Sequence, residues 1–161
     1  MRLTHWTDYS LRVLMYCAQY ESRQAAATIQ EIAELHGISK SHLTKIVMTL
    51  AADGYLLTSR GRGGGLRLGR PASQIVLGEV VRKTESDFHM VECFQDAPSR
   101  CALMPDCFLK KVLADALEVF FAKLDEVTLE DLIHSTPAAK DMFQPIGFMP
   151  HRDRARTIKP S

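Results

Sequence analysis

A glycine-rich basic run at positions 60–65, Arg-Gly-Arg-Gly-Gly-Gly, places the strongest constraint on how this chain can fold. Residues 55–59 before it are suited to a strand, and residues 66–69 after it include a Leu-Arg-Leu alternation. Extended segments on either side of a glycine-rich turn are typical of a β-hairpin, because glycine adopts the positive φ angles of a tight chain reversal. The sequence therefore predicts a two-stranded hairpin over 55–70 with two arginines in its turn.

Two helices are predicted ahead of this hairpin. Thr28 and Glu31 form a capping-box pattern that starts the first helix. Gly37 supplies the turn that ends it, and Ser39 can cap a second, longer helix with an aliphatic inner face. This arrangement over about 28–53 is typical of a helix-turn-helix.

A helix-turn-helix followed directly by a hairpin is a winged helix-turn-helix. We therefore predict a mainly α fold with a two-stranded β-wing, forming a DNA-binding domain over 1–84. A helix over 7–20 is expected to open this domain, with Thr7 as its candidate N-cap. Cys17 lies beside the apolar stripe of that helix, so we expect it to be a small buried hydrophobic residue and not a ligand.

Polar and basic side chains occupy the outward face of the second helix and the wing tip. A helix in the major groove contacts base edges and phosphates, and wing arginines lie beside or in the minor groove. Ser41 and His42 are the candidates for contacts with base edges. The predicted DNA-binding residues are Thr28, Ser39, Lys40, Ser41, His42, Thr44, Lys45, Arg60, Arg62, Gly63 and Gly64. The glycine-rich run can alternatively hold a nucleotide phosphate, but it lacks the Gly-Lys-Ser/Thr ending of a P-loop.

Charge is segregated along the 161 residues. Residues 1–83 carry 11 Lys and Arg against 6 Asp and Glu, whereas residues 84–133 carry 4 against 11. A basic half suits a nucleic-acid surface and an acidic half stays away from phosphates, although ordinary surface variation can give the same pattern. Hydrophobic residues make up 46% of the chain and no apolar run approaches a membrane span, so we expect a cytoplasmic protein without a membrane partner.

Three of the four cysteines, Cys93, Cys101 and Cys107, lie within a loop predicted over 85–107. Three thiols cannot all pair as disulfides, and the chain shows no secretory signal. The intervals between them are longer than those of zinc knuckles, and each contains a proline, which favours an iron-sulfur cluster. Because the chain has no Cys-x-x-Cys pair, no zinc-deaminase signature and no nucleotide fingerprint, we do not expect an enzyme.

A long helix is predicted to follow this loop. It forms the main part of a segment over 108–133 that ends in a short final helix, with Asp106 as a candidate N-cap for the long one. Its apolar residues form two adjacent stripes, so we expect one stripe to pack on the chain's own DNA-binding half and the other to form a dimer interface. Residues 134–161 are rich in proline and basic residues and are expected to be disordered.

Several of these segments together resemble a known family. The opening Met-Arg-Leu-Thr-x-x-Thr-Asp-Tyr, the Arg-Gly-Arg-Gly-Gly-Gly-Leu-Arg-Leu-Gly-Arg-Pro-Ala wing, the Val-Glu-Cys-Phe motif and the three-cysteine loop resemble the Rrf family of winged-helix iron-sulfur repressors. The resemblance covers about 1–133. Within the family, the chain is most similar to the nitric-oxide-sensitive repressors.

The resemblance implies a homodimeric repressor on a palindromic operator, with one iron-sulfur cluster per subunit. It implies that Cys93, Cys101 and Cys107 hold the cluster together with Asp8 of the partner subunit. A 4Fe-4S cluster is favoured and a 2Fe-2S cluster is possible. Nitric oxide is then the signal, and its attack on the cluster releases the DNA.

Other members of the family keep two alternatives open. The seven-residue interval between Cys93 and Cys101 matches the iron-responsive members, for which the signal is iron supply or redox state. His89 or water can occupy the fourth ligand position, as a histidine does in other cluster regulators of the family. His89 is otherwise an ordinary polar residue ahead of the loop.

Overall fold

A computed structural model describes residues 2–61, 63–95, 101, 103 and 106–135. The described chain is mainly helical, with one two-stranded antiparallel sheet, which confirms the predicted winged-helix fold. Short 3₁₀ turns lie at Ala72–Gln74 and Glu92–Phe94. The regular elements are α1 His5–Gln19, α2 Ile29–His36, α3 Lys40–Ala52, β1 Leu56–Ser59, β2 Gly65–Leu68, α4 Leu77–Thr84, α5 Phe108–Asp125 and α6 Leu129–Ser135.

The N-terminus of α1 differs from the sequence prediction. Thr4 is the N-cap, and its hydroxyl accepts a hydrogen bond from the backbone N–H of Thr7 at 3.4 Å. Thr7 is fully buried inside the first turn, so the prediction that it caps the helix is wrong. The backbone N–H and hydroxyl of Thr4 also donate to the Glu85 carboxylate at 2.7 and 3.1 Å, which ties the start of α1 to the end of α4.

The core lies between α1, α2, α3 and the wing. On α3, Leu43 and Ile46 are completely buried, and Val47 and Leu50 nearly so, as the helical period predicted. Burial of one such side chain contributes about 1.5–3 kcal/mol, so this inner face fixes the orientation of α3. Leu129 at the start of α6 also lies fully within the core.

The wing is joined to the body of the domain by backbone hydrogen bonds. Its two strands pair antiparallel, and β2 forms a further bridge in which Leu66 and Ala27 exchange hydrogen bonds of 2.7 and 3.2 Å. The Arg67 guanidinium donates to the carbonyl oxygens of Arg23 and Gln24 at 3.4 and 2.7 Å. These contacts fix the base of the wing against the connection between α1 and α2.

Helix α5 is attached to the winged helix near its C-terminal end. Arg82 of α4 forms two hydrogen bonds with the Asp125 carboxylate at 2.6 and 2.7 Å, and its guanidinium lies 4.3 Å from the centre of the Phe121 ring. Gly78 leaves room for this ion pair, because a Cβ atom there would overlap the Asp125 carboxylate. The backbone N–H of Leu77 donates to the carbonyl of Val127 at 2.9 Å and completes the attachment.

The N-terminus of α5 also differs from the prediction. Cys107, and not Asp106, occupies the N-cap position, and its side chain forms no capping hydrogen bond. The predicted short final helix is α6, and Thr128 caps it, since its hydroxyl accepts from the backbone N–H of Asp131 and donates to the Asp131 carboxylate. Most of the predicted tail, residues 136–161, lies outside the described residues. None of the helices that the structure describes is long and apolar enough to cross a membrane.

Candidate functional site

The outward face of α3 is the first part of the candidate site. Lys40, Ser41, Thr44 and Lys45 are all exposed, while the opposite face of the helix packs into the core. With 3.6 residues per turn, positions 41, 44 and 45 lie on one side of the helix. Together with Lys40 at the neighbouring position, this face presents two ammonium groups and two hydroxyls to a partner.

Side chains of the predicted DNA-binding set also form hydrogen bonds within the chain, and Ser41 is one of them, since its hydroxyl lies 3.5 Å from that of Ser39. Thr28 closes the capping box of α2 with Glu31, and Ser39 caps α3 by accepting from the backbone N–H of His42 at 3.4 Å. The Thr44 hydroxyl donates to the carbonyl of Lys40 at 2.8 Å. A hydroxyl whose proton is engaged in this way can accept from an N–H donor of a base but cannot donate to a phosphate oxygen, so a phosphate contact would require the Thr44 hydroxyl to leave the Lys40 carbonyl.

His42 lies in the first turn of α3 and contacts α1. Its ring centre is 5.9 Å from that of Trp6 and 5.3 Å from that of Tyr9, the second contact being edge to face. The side chain is half-buried, unlike the exposed Ser41 beside it. These aromatic contacts join the N-terminal turn of α3 to the first turns of α1.

The wing tip is the second part of the site. Arg60 is exposed, and Gly63 has a φ of 77°, in the left-handed region. Gly64 sits so close to the other strand that a Cβ atom would lie 2.5 Å from the carbonyl oxygen of Ser59. Side chains are excluded there, so the tip stays thin enough for close approach to a partner surface. Arg62 lies outside the described residues.

The three cysteines of the loop are more exposed than the fourth cysteine, Cys17 of α1. Cys93 and Cys107 are half-buried and Cys101 is exposed, and none of the four cysteines, all of which are described, is in a disulfide. Cys17 is only 3% exposed, and burial raises the pKa of its thiol to about 12. Cys17 is therefore a protonated core residue, as predicted from its position in α1.

The donor set of the loop fits an iron-sulfur cluster in its chemistry, since thiolates are the ligands that such clusters use. Within the described ranges, no group of three His, Cys, Asp or Glu side chains is assembled that could hold a metal ion. Residues 96–100, between Cys93 and Cys101, lie outside those ranges. The described part of a single chain thus supplies candidate ligands without bringing three of them together.

Asp8 lies on α1 and is partly exposed. Both of its carboxylate oxygens accept from Arg12, at 3.0 Å from Nε and 2.9 Å from Nη2. Burial lowers the pKa of the nearby His36, the Arg12 charge lowers it further, and the Asp8 charge opposes both. Asp8 is therefore paired with Arg12 on α1, and both charges act on His36 of α2. Sequence analysis missed Arg12, although the four-residue spacing of an acid and a base on one helix face indicates such a pair.

The segment that leads to Cys93 lies against the start of α1. Residues 2–4 and 85–89 line a shallow cleft of about 180 Å³. His89 is exposed, its backbone N–H donates to the Asp87 carboxylate at 3.0 Å, and its Nδ1 lies 3.6 Å from the same oxygen. The alternative ligand His89 is thus paired locally with Asp87. Sequence analysis missed the Thr4–Glu85 contact, and no local pattern indicates it because the two residues are far apart in the chain.

A family model described as an iron-dependent transcriptional regulator, Rrf2, matches residues 3–135. The chain belongs to the Rrf2 family. Members of this family are DNA-binding transcriptional regulators and not enzymes, which confirms both expectations from the sequence.

Similar proteins agree with this assignment. The HTH-type transcriptional regulator NsrR of Bacillus subtilis (strain 168) is 50% identical over 133 residues, which cover 83% of this chain and 90% of that protein. The structure of CymR (YrzC), the global cysteine regulator of B. subtilis, is 25% identical with a TM-score of 0.66 and covers 84% of this chain and 98% of its own. T. potens IscR, at 20% identity and a TM-score of 0.67 over 92% of this chain and 95% of its own, shows the same fold.

Proposed function

We propose that this Rrf2 regulator is a repressor whose operator affinity is controlled by an iron-sulfur cluster that senses nitric oxide. One observation carries the proposal: three cysteines outside any disulfide, each half-buried or exposed, lie in the segment that joins the winged helix to α5. The similarity to a regulator named NsrR supports the choice of signal. We place the protein in the cytoplasm, where DNA and reduced thiols are both found.

The proposed ligands are Cys93, Cys101, Cys107 and Asp8 of the partner subunit, with one cluster per subunit. A 4Fe-4S cluster is favoured over 2Fe-2S. When bound, the cluster supplies iron atoms with which nitric oxide reacts. The chain contributes three thiols and one carboxylate, and Arg12 holds that carboxylate until a ligand position competes for it.

The proposed DNA surface combines the two exposed parts described above. The side chains of Lys40 and Lys45 and the arginines of the wing contact phosphates, and Ser41 contacts a base edge. The wing arginines are Arg60 and Arg62, and the remaining members of the set are Thr28, Ser39, His42, Thr44, Gly63 and Gly64. A homodimer gives a palindromic operator whose half-sites lie about one helical turn apart, on the order of 34 Å.

The contacts of α1 suggest how the ligand state of Asp8 reaches the DNA surface. Asp8 lies between Trp6 and Tyr9 in the chain, and both of these rings contact His42 at the start of α3. Ligation of the Asp8 carboxylate would therefore act on α1, the helix whose aromatic rings contact the start of α3.

We propose three functional segments: DNA binding over 1–84, cluster binding over 85–107 and dimerisation over 108–133.

Iron supply is the alternative signal, and the description of the family as iron-dependent supports it. In that case the same residues hold the same cluster, and its assembly follows iron supply. Chelation of iron would then release the operator, and nitric oxide would have no effect at concentrations that leave iron bound.

The proposal is tested with protein purified without oxygen. We expect iron and sulfide in the chain, a visible absorption band, and tight binding to an operator selected from random duplexes. Cys101→Ala is expected to lose the cluster and regulated binding, because it removes one of three thiol ligands. Cys17→Ala is the matched control, since it removes a buried thiol of α1 and is expected to keep the cluster. A Cys101→Ala protein with full cluster content and full regulation would exclude the proposed site.

A further inference from the structure

Met48 is an exposed apolar residue on α3. Its side chain is 67% exposed, while Leu43, Ile46 and Leu50 of the same helix are at most 1% exposed. Single exposed apolar side chains are common on protein surfaces, so what matters for Met48 is where it lies on α3.

Met48 lies on the same side of α3 as several of the proposed DNA-binding residues. Steps of three and four residues connect Ser41, Thr44, Lys45 and Met48, so all four lie on the same side of the helix. Met48 lies about 6 Å further along the axis than Thr44, because each residue of a helix adds about 1.5 Å. A helix that places Ser41 and Lys45 in a groove therefore places Met48 against the same groove.

Base edges in the major groove offer one apolar group, the C5 methyl of thymine. The Met48 thioether cannot donate a hydrogen bond, and its long, unbranched chain adapts its shape to an apolar partner. We propose that Met48 contacts the C5 methyl of a thymine in each operator half-site and is a specificity-determining residue. This inference rests on the proposed function in two respects, namely that α3 lies in the major groove and that a homodimer binds two half-sites.

Removal of the methyl group from the DNA tests this contact directly. Operator duplexes selected from random sequence are made with each thymine replaced singly by deoxyuridine, which differs only in the C5 methyl. Affinity is measured with cluster-containing protein. Loss of one buried methyl contact is expected to weaken wild-type binding about fourfold at one thymine position of a half-site. The same replacement is expected to leave the affinity of Met48→Ala nearly unchanged.

Two further variants separate this contact from general effects. Met48→Leu keeps an apolar group and is expected to retain discrimination between thymine and deoxyuridine. Leu57→Ala removes an apolar side chain that is 64% exposed on β1, and it is expected to show the wild-type response to deoxyuridine. Thermal unfolding of each variant verifies that the exposed substitution leaves the fold intact.

The outcomes distinguish this inference from the proposed function. If wild-type protein selects no specific duplex, the repressor proposal fails. If it selects an operator, but wild type and Met48→Ala respond equally to deoxyuridine at every thymine, the Met48 contact is excluded and the repressor proposal stands.

Discussion

At the scale of single residues, burial separates cysteines of identical chemistry. Cys17 is surrounded by core side chains, and its pKa of about 12 keeps the thiol protonated throughout the physiological range. Cys101 is exposed, and Cys93 and Cys107 are half-buried on either side of it. Water therefore reaches the three loop thiols far better than it reaches Cys17, and only accessible thiolates act as nucleophiles or ligands.

We predict that alkylation distinguishes these two kinds of thiol. Cluster-free protein, kept folded and reduced at pH 8, is treated with iodoacetamide and examined by mass spectrometry of its peptides. Cys93, Cys101 and Cys107 are expected to be modified and Cys17 to remain unmodified, because a thiol with a raised pKa stays protonated until the pH approaches that pKa. Modification of Cys17 at the rate of Cys101 would contradict its assignment to the core.

At the scale of elements, the winged helix was predicted best where its determinants are local. The capping box of Thr28 and Glu31 and the cap at Ser39 depend on residues three apart, so the sequence alone indicates α2 and α3. The N-cap of α1 was predicted at the wrong residue because two threonines, Thr4 and Thr7, are both compatible with local rules. The choice of Thr4 agrees with its contact to Glu85, which lies 81 residues away and leaves no periodic pattern.

The candidate site follows the same division. The thiol positions and the basic face of α3 are visible in the sequence, since both depend on residue type and spacing. The aromatic contact of His42 with α1 and the pairing of Asp8 with Arg12 depend on which faces meet or which rotamers form. Such contacts are fixed by three-dimensional packing. Of the two, only the pairing of Asp8 with Arg12 is indicated by spacing in the sequence.

For α3, we predict that Lys45→Ala weakens operator binding for specific and non-specific duplexes alike. A lysine that contacts a phosphate releases a counterion, so its loss is expected to reduce the slope of log affinity against log salt by about 1. Lys123→Ala on α5 is the control and is expected to leave the slope unchanged. A changed sequence preference at an unchanged slope would assign Lys45 to base contact instead.

At the scale of the whole molecule, α5 presents an apolar stripe to solvent. Leu109, Val112 and Val119 are 59%, 44% and 69% exposed. Their neighbours Leu113, Leu117 and Phe120 are half-buried. Exposed apolar residues in line along one helix are typical of a surface that pairs with another chain, so we propose this stripe as the dimer interface.

We predict that Val112→Asp combined with Val119→Asp converts the proposed dimer to a monomer. Each aspartate would remain hydrated on a lone chain but would lose water in an apolar interface, where burial of an unpaired charge is strongly unfavourable. Sedimentation measures the mass, and circular dichroism verifies the fold. Lys111→Asp, at an exposed polar position on α5, is the control and is expected to remain dimeric. A double variant that stays dimeric would place the interface elsewhere.

In the proposed function the chemistry of the cysteine loop controls DNA binding, and one titration measures both. Nitric oxide is added stepwise, without oxygen, to cluster-containing protein bound to a fluorescent operator duplex, and the visible spectrum and the anisotropy are recorded together. We expect the cluster absorption to change and the operator to be released over the same range of nitric oxide concentration. Loss of the cluster absorption with the operator still fully bound would contradict the proposed function.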